Sequence, residues 1–223
     1  MKKTVRITGA SKGIGKALAT KMLSENYKVI GTSRNGQIDI DDSNFYSVAL
    51  NLADKESIAA AHIEITNRFK TIDILINNAG IGPDLYTQIP ELDSFNETFD
   101  VNVTGTVFFT EPLIEKISHN GILLNVSSKM GSLDVCKLTD SVAYRMSKSA
   151  LNMYTKILAN RLQDKVRVAA IHPGWVKTTI IESNLINGRL IPEQSADNMY
   201  AFLNSEFKQG TFWDAETGRE LPW

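Results

Sequence analysis

Short apolar runs alternate along this chain with stretches whose apolar residues recur at helical spacing. Val5–Thr8, Lys28–Ser33, Ser47–Leu50, Ile72–Ile76, Gly121–Val126 and Val166–His172 read as strands. Between them, Ile14, Leu18 and Met22, then Ile58, Ala61, Ile65 and Phe69, mark the buried faces of two helices. Phe95, Phe99, Val103, Val107 and Phe108 predict a long helix over Glu91–Ser118, with a kink or break at Pro112. Leu151, Tyr154, Ile157, Leu158 and Leu162 predict another, beginning near Tyr144. A loop from Trp175 to Leu190 leads to a helix opened by Pro192, then to a last strand at Thr211–Phe212–Trp213 and a turn at Thr217–Gly218. The Ile72–Ile76 run is almost wholly apolar, which suits a central parallel strand covered on both faces. Strands alternating with helices, without a Pro/Gly/Ser linker, predict one α/β domain over residues 1–223. Its architecture is a doubly wound, Rossmann-type parallel sheet of six to seven strands.

Composition narrows the class. The chain has 223 residues, 43% hydrophobic and 22% charged, with a net charge of −1. That near-neutral balance gives no basic stripe for nucleic acid. No apolar run approaches the ~18 residues of a membrane span, and Met1-Lys2-Lys3 leads straight into a strand. One cysteine, Cys136, excludes an internal disulfide and points to a reducing compartment. A soluble, cytoplasmic protein is expected. His62, His119 and His172 lie too far apart in pattern to suggest zinc, and no metal is expected.

Chemistry enters at the ends of the strands. Gly9-Ala10-Ser11-Lys12-Gly13-Ile14-Gly15 sits between the first strand and the first helix, where glycines let main-chain N–H groups approach a pyrophosphate. Its G-x-x-x-G-x-G spacing departs from G-x-G-x-x-G. The second strand ends in Ser33-Arg34, with no carboxylate before Asp39, and Lys12 adds a cation in the turn. These favour the 2′-phosphate of NADP(H) over the free ribose of NAD(H), which remains possible. Asn78-Ala79-Gly80 closes the central strand, either as a simple turn or as a ligand-side edge. Tyr144 and Lys148 stand at i and i+4, so a helix brings a phenol beside an ammonium, which is expected to lower the tyrosine pKa. Trp175, Ile180, Ile181, Leu185, Ile186 and Leu190 either roof an apolar pocket or pack on the domain.

Taken together, these residues resemble the short-chain dehydrogenase/reductase family along essentially the whole chain. Thr8-Gly9-x-x-x-Gly13-x-Gly15 is similar to its cofactor turn, Asn78-Ala79-Gly80 to its sheet-stabilising motif, and Pro173-Gly174 to its turn after the sixth strand. Asn102, Ser128, Tyr144 and Lys148 match its catalytic positions in order. Val126–Ser132, Ala143–Lys148 and the ending Gly218–Trp223 look most like its C-factor and sniffer-type carbonyl reductases. The resemblance implies hydride transfer between a nicotinamide and a carbonyl or alcohol carbon. Tyr144 would be the acid/base, Ser128 the orienting hydroxyl, Lys148 the partner that depresses the phenol and holds the ribose, and Asn102 the anchor of a relay water. It further implies cofactor contacts from Asn51 and Leu52, Asn78, Val176 and Thr178. Asn51 stands where the family usually has an aspartate. The Ser128–Tyr144 interval is longer than usual, which leaves Ser127 and Ser132 as alternatives to Ser128. The implied activity is NADP(H)-dependent carbonyl reduction or its reverse on a small, mostly apolar substrate. The alternative, kept open by the C-factor likeness, is a cofactor-sensing protein that regulates a partner. Pairing of the Asn102 and Tyr144 helices into a homodimer or homotetramer is also implied.

Overall fold

The computed structural model describes residues 2–223. Seven parallel strands lie in the order β3-β2-β1-β4-β5-β6-β7: β1 Thr4–Ile7, β2 Lys28–Ser33, β3 Phe45–Ala49, β4 Ile72–Asn77, β5 Ile117–Val126, β6 Val166–His172 and β7 Thr211–Asp214. A short antiparallel strand, β8 (Arg219–Glu220), closes one edge. The helices are α1 Gly13–Ser24, α2 Lys55–Arg68, α3 Leu92–Phe99, α4 Thr106–Thr110, α5 Val142–Arg161, α6 Glu182–Asn187 and α7 Pro192–Leu203. β1 is flanked by β2 on one side and β4 on the other. The strand order therefore reverses there, and a crevice opens at the carboxyl ends of β1 and β4.

Alternation along each strand feeds two apolar cores, one per sheet face. Val5, Ile7, Ile74 and Ile76 pack with Leu18 and Met22 of α1 and Met199 and Phe202 of α7. Leu75, Leu123 and Val168 face the other way, onto Ile58 and Ile65 of α2, Phe109 of α4 and Leu158 of α5. Coverage on both faces is why β4 is apolar at nearly every position. No helix among the described residues is long and apolar enough to cross a membrane.

The differences from the sequence pattern are local. The sheet has eight strands because Arg219–Glu220 pairs back on Trp213–Asp214, too short a segment to show a period. The expected Glu91–Ser118 helix is interrupted. α3 passes into a π-helical stretch, Asp100–Gly105, then α4, then a 3-10 segment, Glu111–Lys116, that holds Pro112. Its final residues, Ile117 and Ser118, belong to β5, which starts four residues before Gly121. The π stretch lies against the loop after β3: a Cβ at Gly105 would overlap the Leu52 carbonyl. α6 forms inside the segment expected to be a loop. α2 is capped by Asp54, which accepts from the Glu56 and Ser57 N–H groups.

Candidate active site

The glycine turn after β1 is built by main-chain geometry. Gly9 and Gly13 have left-handed φ of +67° and +56°, which favours glycine, and a Cβ at Gly15 would overlap the Gly9 carbonyl. Asn78, at the end of β4, braces this turn: its side-chain amide donates to the carbonyls of Thr8 (2.8 Å) and Gly9 (3.3 Å). The Thr8 hydroxyl in return accepts the N–H groups of Asn78 (2.9 Å) and Ala79 (3.0 Å). α1 begins at this turn with no side-chain cap at Lys12 and no acidic residue in its first turn. Its leading N–H groups therefore suit an anion, and Ser11, Gly13 and Ile14 lie within the same turn. Thr178 reaches over from the segment after β6, its methyl 3.4 Å from where a Gly13 Cβ would stand.

Arg34 and Lys12 are both exposed beside this cradle. Asp39, the first carboxylate after β2, points to solvent in an ion pair with Lys16 (3.1 Å). The Asn51 side-chain oxygen accepts from the Ala53 N–H (3.2 Å), and the Leu52 side chain is buried in the α2-side core. Leu52 has only its main chain left for any ligand. Pro173 is tied down by Ser195, whose hydroxyl donates to its carbonyl (2.7 Å). Gly174 takes a φ of +91°, with Leu190 and Glu216 closing in on it, and Val176 bridges to Leu190.

A polar cluster faces this cradle across the crevice. α5 buries Tyr144, Ser147 and Lys148 along one face. The Lys148 ammonium donates to the Val126 carbonyl (3.0 Å) and lies 5.6 Å from the centre of the Tyr144 ring. Ser128 lies near enough to the Tyr144 phenol to favour its ionised form, and its Oγ accepts the Met130 N–H (3.1 Å). Asn102 sits in the π stretch, buried and not exposed. Its Oδ1 accepts the Ile81 N–H (2.8 Å), while its Nδ2 donates to the Ile81 carbonyl (2.8 Å) and to Ser147 Oγ (3.1 Å). Gly80 marks where these groups converge: a Cβ there would lie 3.2 Å from Asn102 Oδ1 and 3.3 Å from Lys148 Nζ. The other two serines are occupied elsewhere. Ser127 donates to Asn152 Oδ1 (2.6 Å) and Ser132 to the main-chain oxygen of Trp223 (3.2 Å).

The electrostatics reverse one expectation. The Tyr144 phenol is pushed up to about 12 by burial first, with Tyr86 and Asp84 adding to the rise and the Ser128 contact opposing it. Burial pulls Lys148 down to about 8. Both groups are desolvated, and at the phenol burial is the largest influence. Burial therefore favours the neutral phenol at Tyr144. His172, at the end of β6, is also buried. Both its ring nitrogens lack a partner among the described residues, and burial pushes it down to about 4, a neutral imidazole. Among the described residues no cluster of His, Cys, Asp or Glu could hold a metal.

Two features of the site carry no local sequence signal. One is a buried ladder: Thr110 donates to Asn77 (3.1 Å), Asn77 to Asn125 (2.8 Å) and Asn125 to Thr155 (2.9 Å), tying α4, β4, β5 and α5 together behind the site. The other is Asp84, whose carboxylate meets the start of α5.

The model of the short-chain dehydrogenase family matches residues 3–187. The chain belongs to that family. It is 34% identical to a 3-oxoacyl-acyl-carrier-protein reductase of Aquifex aeolicus, over 90% of this chain and 89% of the relative. Among solved structures it resembles a short-chain dehydrogenase/reductase from Burkholderia multivorans with bound NADP, at 27% identity and a TM-score of 0.87, over the full length of both chains. It is equally similar, at 26% identity and a TM-score of 0.87, to an NADPH-bound carbonyl reductase from chicken fatty liver, over 100% of this chain and 94% of that one. Membership makes it an oxidoreductase with a Rossmann-type nicotinamide site, and the uncapped glycine turn fits such a group.

Proposed function

We propose that this chain is an NADP(H)-dependent oxidoreductase that reduces a ketone or aldehyde to an alcohol, or runs the reverse reaction, on a small and mostly apolar substrate. The observation that carries the reading is a buried Tyr144 beside Ser128, with the Lys148 ammonium 5.6 Å from its ring one helical turn on.

In the reductive direction, Ser128 donates a hydrogen bond to the substrate carbonyl oxygen and fixes its position beside the phenol. Tyr144 then gives its proton to that oxygen as negative charge develops there. When bound, the reduced nicotinamide supplies the hydride to the carbonyl carbon. Lys148 holds its charge at the floor of the site, on the Val126 carbonyl, and returns a proton toward Tyr144. Asn102, pinned by Ile81 and Ser147, lines the same gap and anchors a relay water there. The glycine turn, Asn78, Gly174–Val176 and Thr178 would hold the dinucleotide. Arg34 and Lys12 would take its 2′-phosphate, the first by a bidentate fork and the second as a point charge.

A complete acid/base set favours catalysis over cofactor sensing alone, since a sensor has no use for a proton donor beside an orienting hydroxyl. Met146, Met153 and Ile157 of α5 and Phe108 of α4 are exposed, which supports pairing of these helices with a second copy. The lone, unpaired thiol at Cys136 supports a cytoplasmic setting. The test is consumption of NADPH and NADH against a panel of ketones, aldehydes and quinones. Turnover faster with NADPH is expected. Tight NADPH binding with no turnover on any carbonyl would overturn the reading in favour of sensing.

A further inference from the structure

The loop after β4 reaches α5 through one carboxylate. Asp84 is only 3% exposed, and its oxygens accept the main-chain N–H groups of Ala143 (2.7 Å) and of Tyr144 itself (3.1 and 3.3 Å). These donors open α5 and have no carbonyl one turn behind them to bond. Most helices meet this need from the N-cap side chain, as α2 does with Asp54. α5 cannot. Its N-cap, Ser141, is left-handed (φ 59°) and makes no cap bond. The Ser141 hydroxyl is engaged instead with the Tyr86 N–H (2.9 Å) and Asp140 (2.9 Å).

The cap is therefore imported from a loop that touches the reacting side chains twice more. Ile81 holds both ends of the Asn102 amide, and a Cβ at Gly82 would lie 2.9 Å from Tyr144 Cδ2. We propose that Asp84 is a positioning residue for proton transfer: by capping α5 it fixes the main chain of Tyr144 against the Ile81–Leu85 loop and so sets where the phenol stands. Its charge acts as well. The groups facing the phenol are Asp84 and Tyr86 from this loop, Ser128 from the end of β5, and Lys148 from its own helix. Of these, Tyr86 and Asp84 oppose phenolate formation, and Asp84 does so while bonded to the main chain of Tyr144. This inference rests on Tyr144 being the acid of the proposed reaction.

Asp84→Asn keeps an acceptor and removes the charge, while Asp84→Ala removes both. With NADPH and a carbonyl that the wild-type protein reduces, Asp84→Ala should lose kcat by about 10- to 100-fold while KM for NADPH moves little, as expected of a displaced reacting group. Asp84→Asn should move the Tyr144 titration to lower pH. That shift is read, without any turnover, in the ultraviolet phenolate difference between the variant and its Tyr144→Phe double. A purely structural cap would lower stability and leave the phenolate titration in place. An Asp84→Asn protein whose phenolate titration matches the wild type would overturn the proposal, and this variant decides the matter even if Asp84→Ala fails to fold. If the wild type reduces no carbonyl, the proposed function falls and the phenolate titration still tests Asp84.

Discussion

The two halves of the crevice are made by different means. The glycine turn and its helix, residues 8–15, are shaped by left-handed glycines and an overlap that forbids a Cβ at Gly15. The opposite half draws Asn102, Ser128, Tyr144 and Lys148 from three separate segments. Buried hydrogen bonds through Ile81, Val126, Ser147 and Asp84 hold them there. The first half is steric and local, and fails when an atom is added. The second is a network of desolvated polar groups, and fails when a partner is removed.

The largest effect should follow from deleting one oxygen in the network. Tyr144→Phe keeps the ring against Gly82 and removes the proton donor. Its kcat should fall by roughly 10²- to 10⁴-fold, while NADPH binding, followed by cofactor fluorescence, stays within a few-fold. Adding one carbon to the steric half should do the opposite. In Gly15→Ala the methyl meets the Gly9 carbonyl and the Asn78 amide, so NADPH affinity should drop by about tenfold or more. Its kcat at saturating cofactor should change far less. A Gly15→Ala protein that loses kcat with affinity intact would erase the distinction between the halves.

A smaller effect separates them by pH. Lys148, lowered to about 8, keeps its proton below that value and loses it as pH rises through it. Tyr144, at about 12, remains protonated throughout that range. Carbonyl-reducing kcat/KM should therefore be flat at neutral pH and fall above about pH 8, with the limb assigned to Lys148. The Kd for NADPH should respond at Arg34 instead. Arg34→Ala should cut the preference for NADPH over NADH by about tenfold without moving the pH limb. An unaltered preference would remove Arg34 from the phosphate site.

The same contrast explains what could be read before the fold was known. The glycine turn, β1, α1 and the doubly wound order follow from local periodicity and from residue types with one dominant use. Tyr144 and Lys148 were legible for the same reason, since i and i+4 meet on any helix. Asp84 was not, because its partner is the amide of residue 143, and no spacing encodes a cap delivered by another loop. The π stretch was hidden behind the apolar period of Phe95, Phe99 and Val103, which continues across it. The direction of the Tyr144 shift is not legible because sequence shows that a cation is near and not how deeply the phenol is buried. Burial of the phenol is the largest influence, and its pKa rises.

The smallest effect concerns a residue that joins the two halves from beneath. Arg6 lies on β1, the strand that carries the glycine turn, yet its side chain crosses to the α5 side of the sheet and is fully buried. Its guanidinium stacks 4.8 Å from the Phe109 ring and makes one long bond, 3.4 Å, to the Ile76 carbonyl. Nε and Nη2 have no partner among the described residues, and burial pulls the group down to about 9. A guanidinium desolvated without a carboxylate is costly, and an apolar side chain of similar length removes that cost. Arg6→Met should therefore leave kcat and cofactor affinity unchanged and stabilise the protein by ~1 kcal/mol or more, raising Tm by about 2–4 °C. If Tm falls instead, the two nitrogens are satisfied by buried water and Arg6 belongs to the polar network, as a tie between β1 and the α5 side.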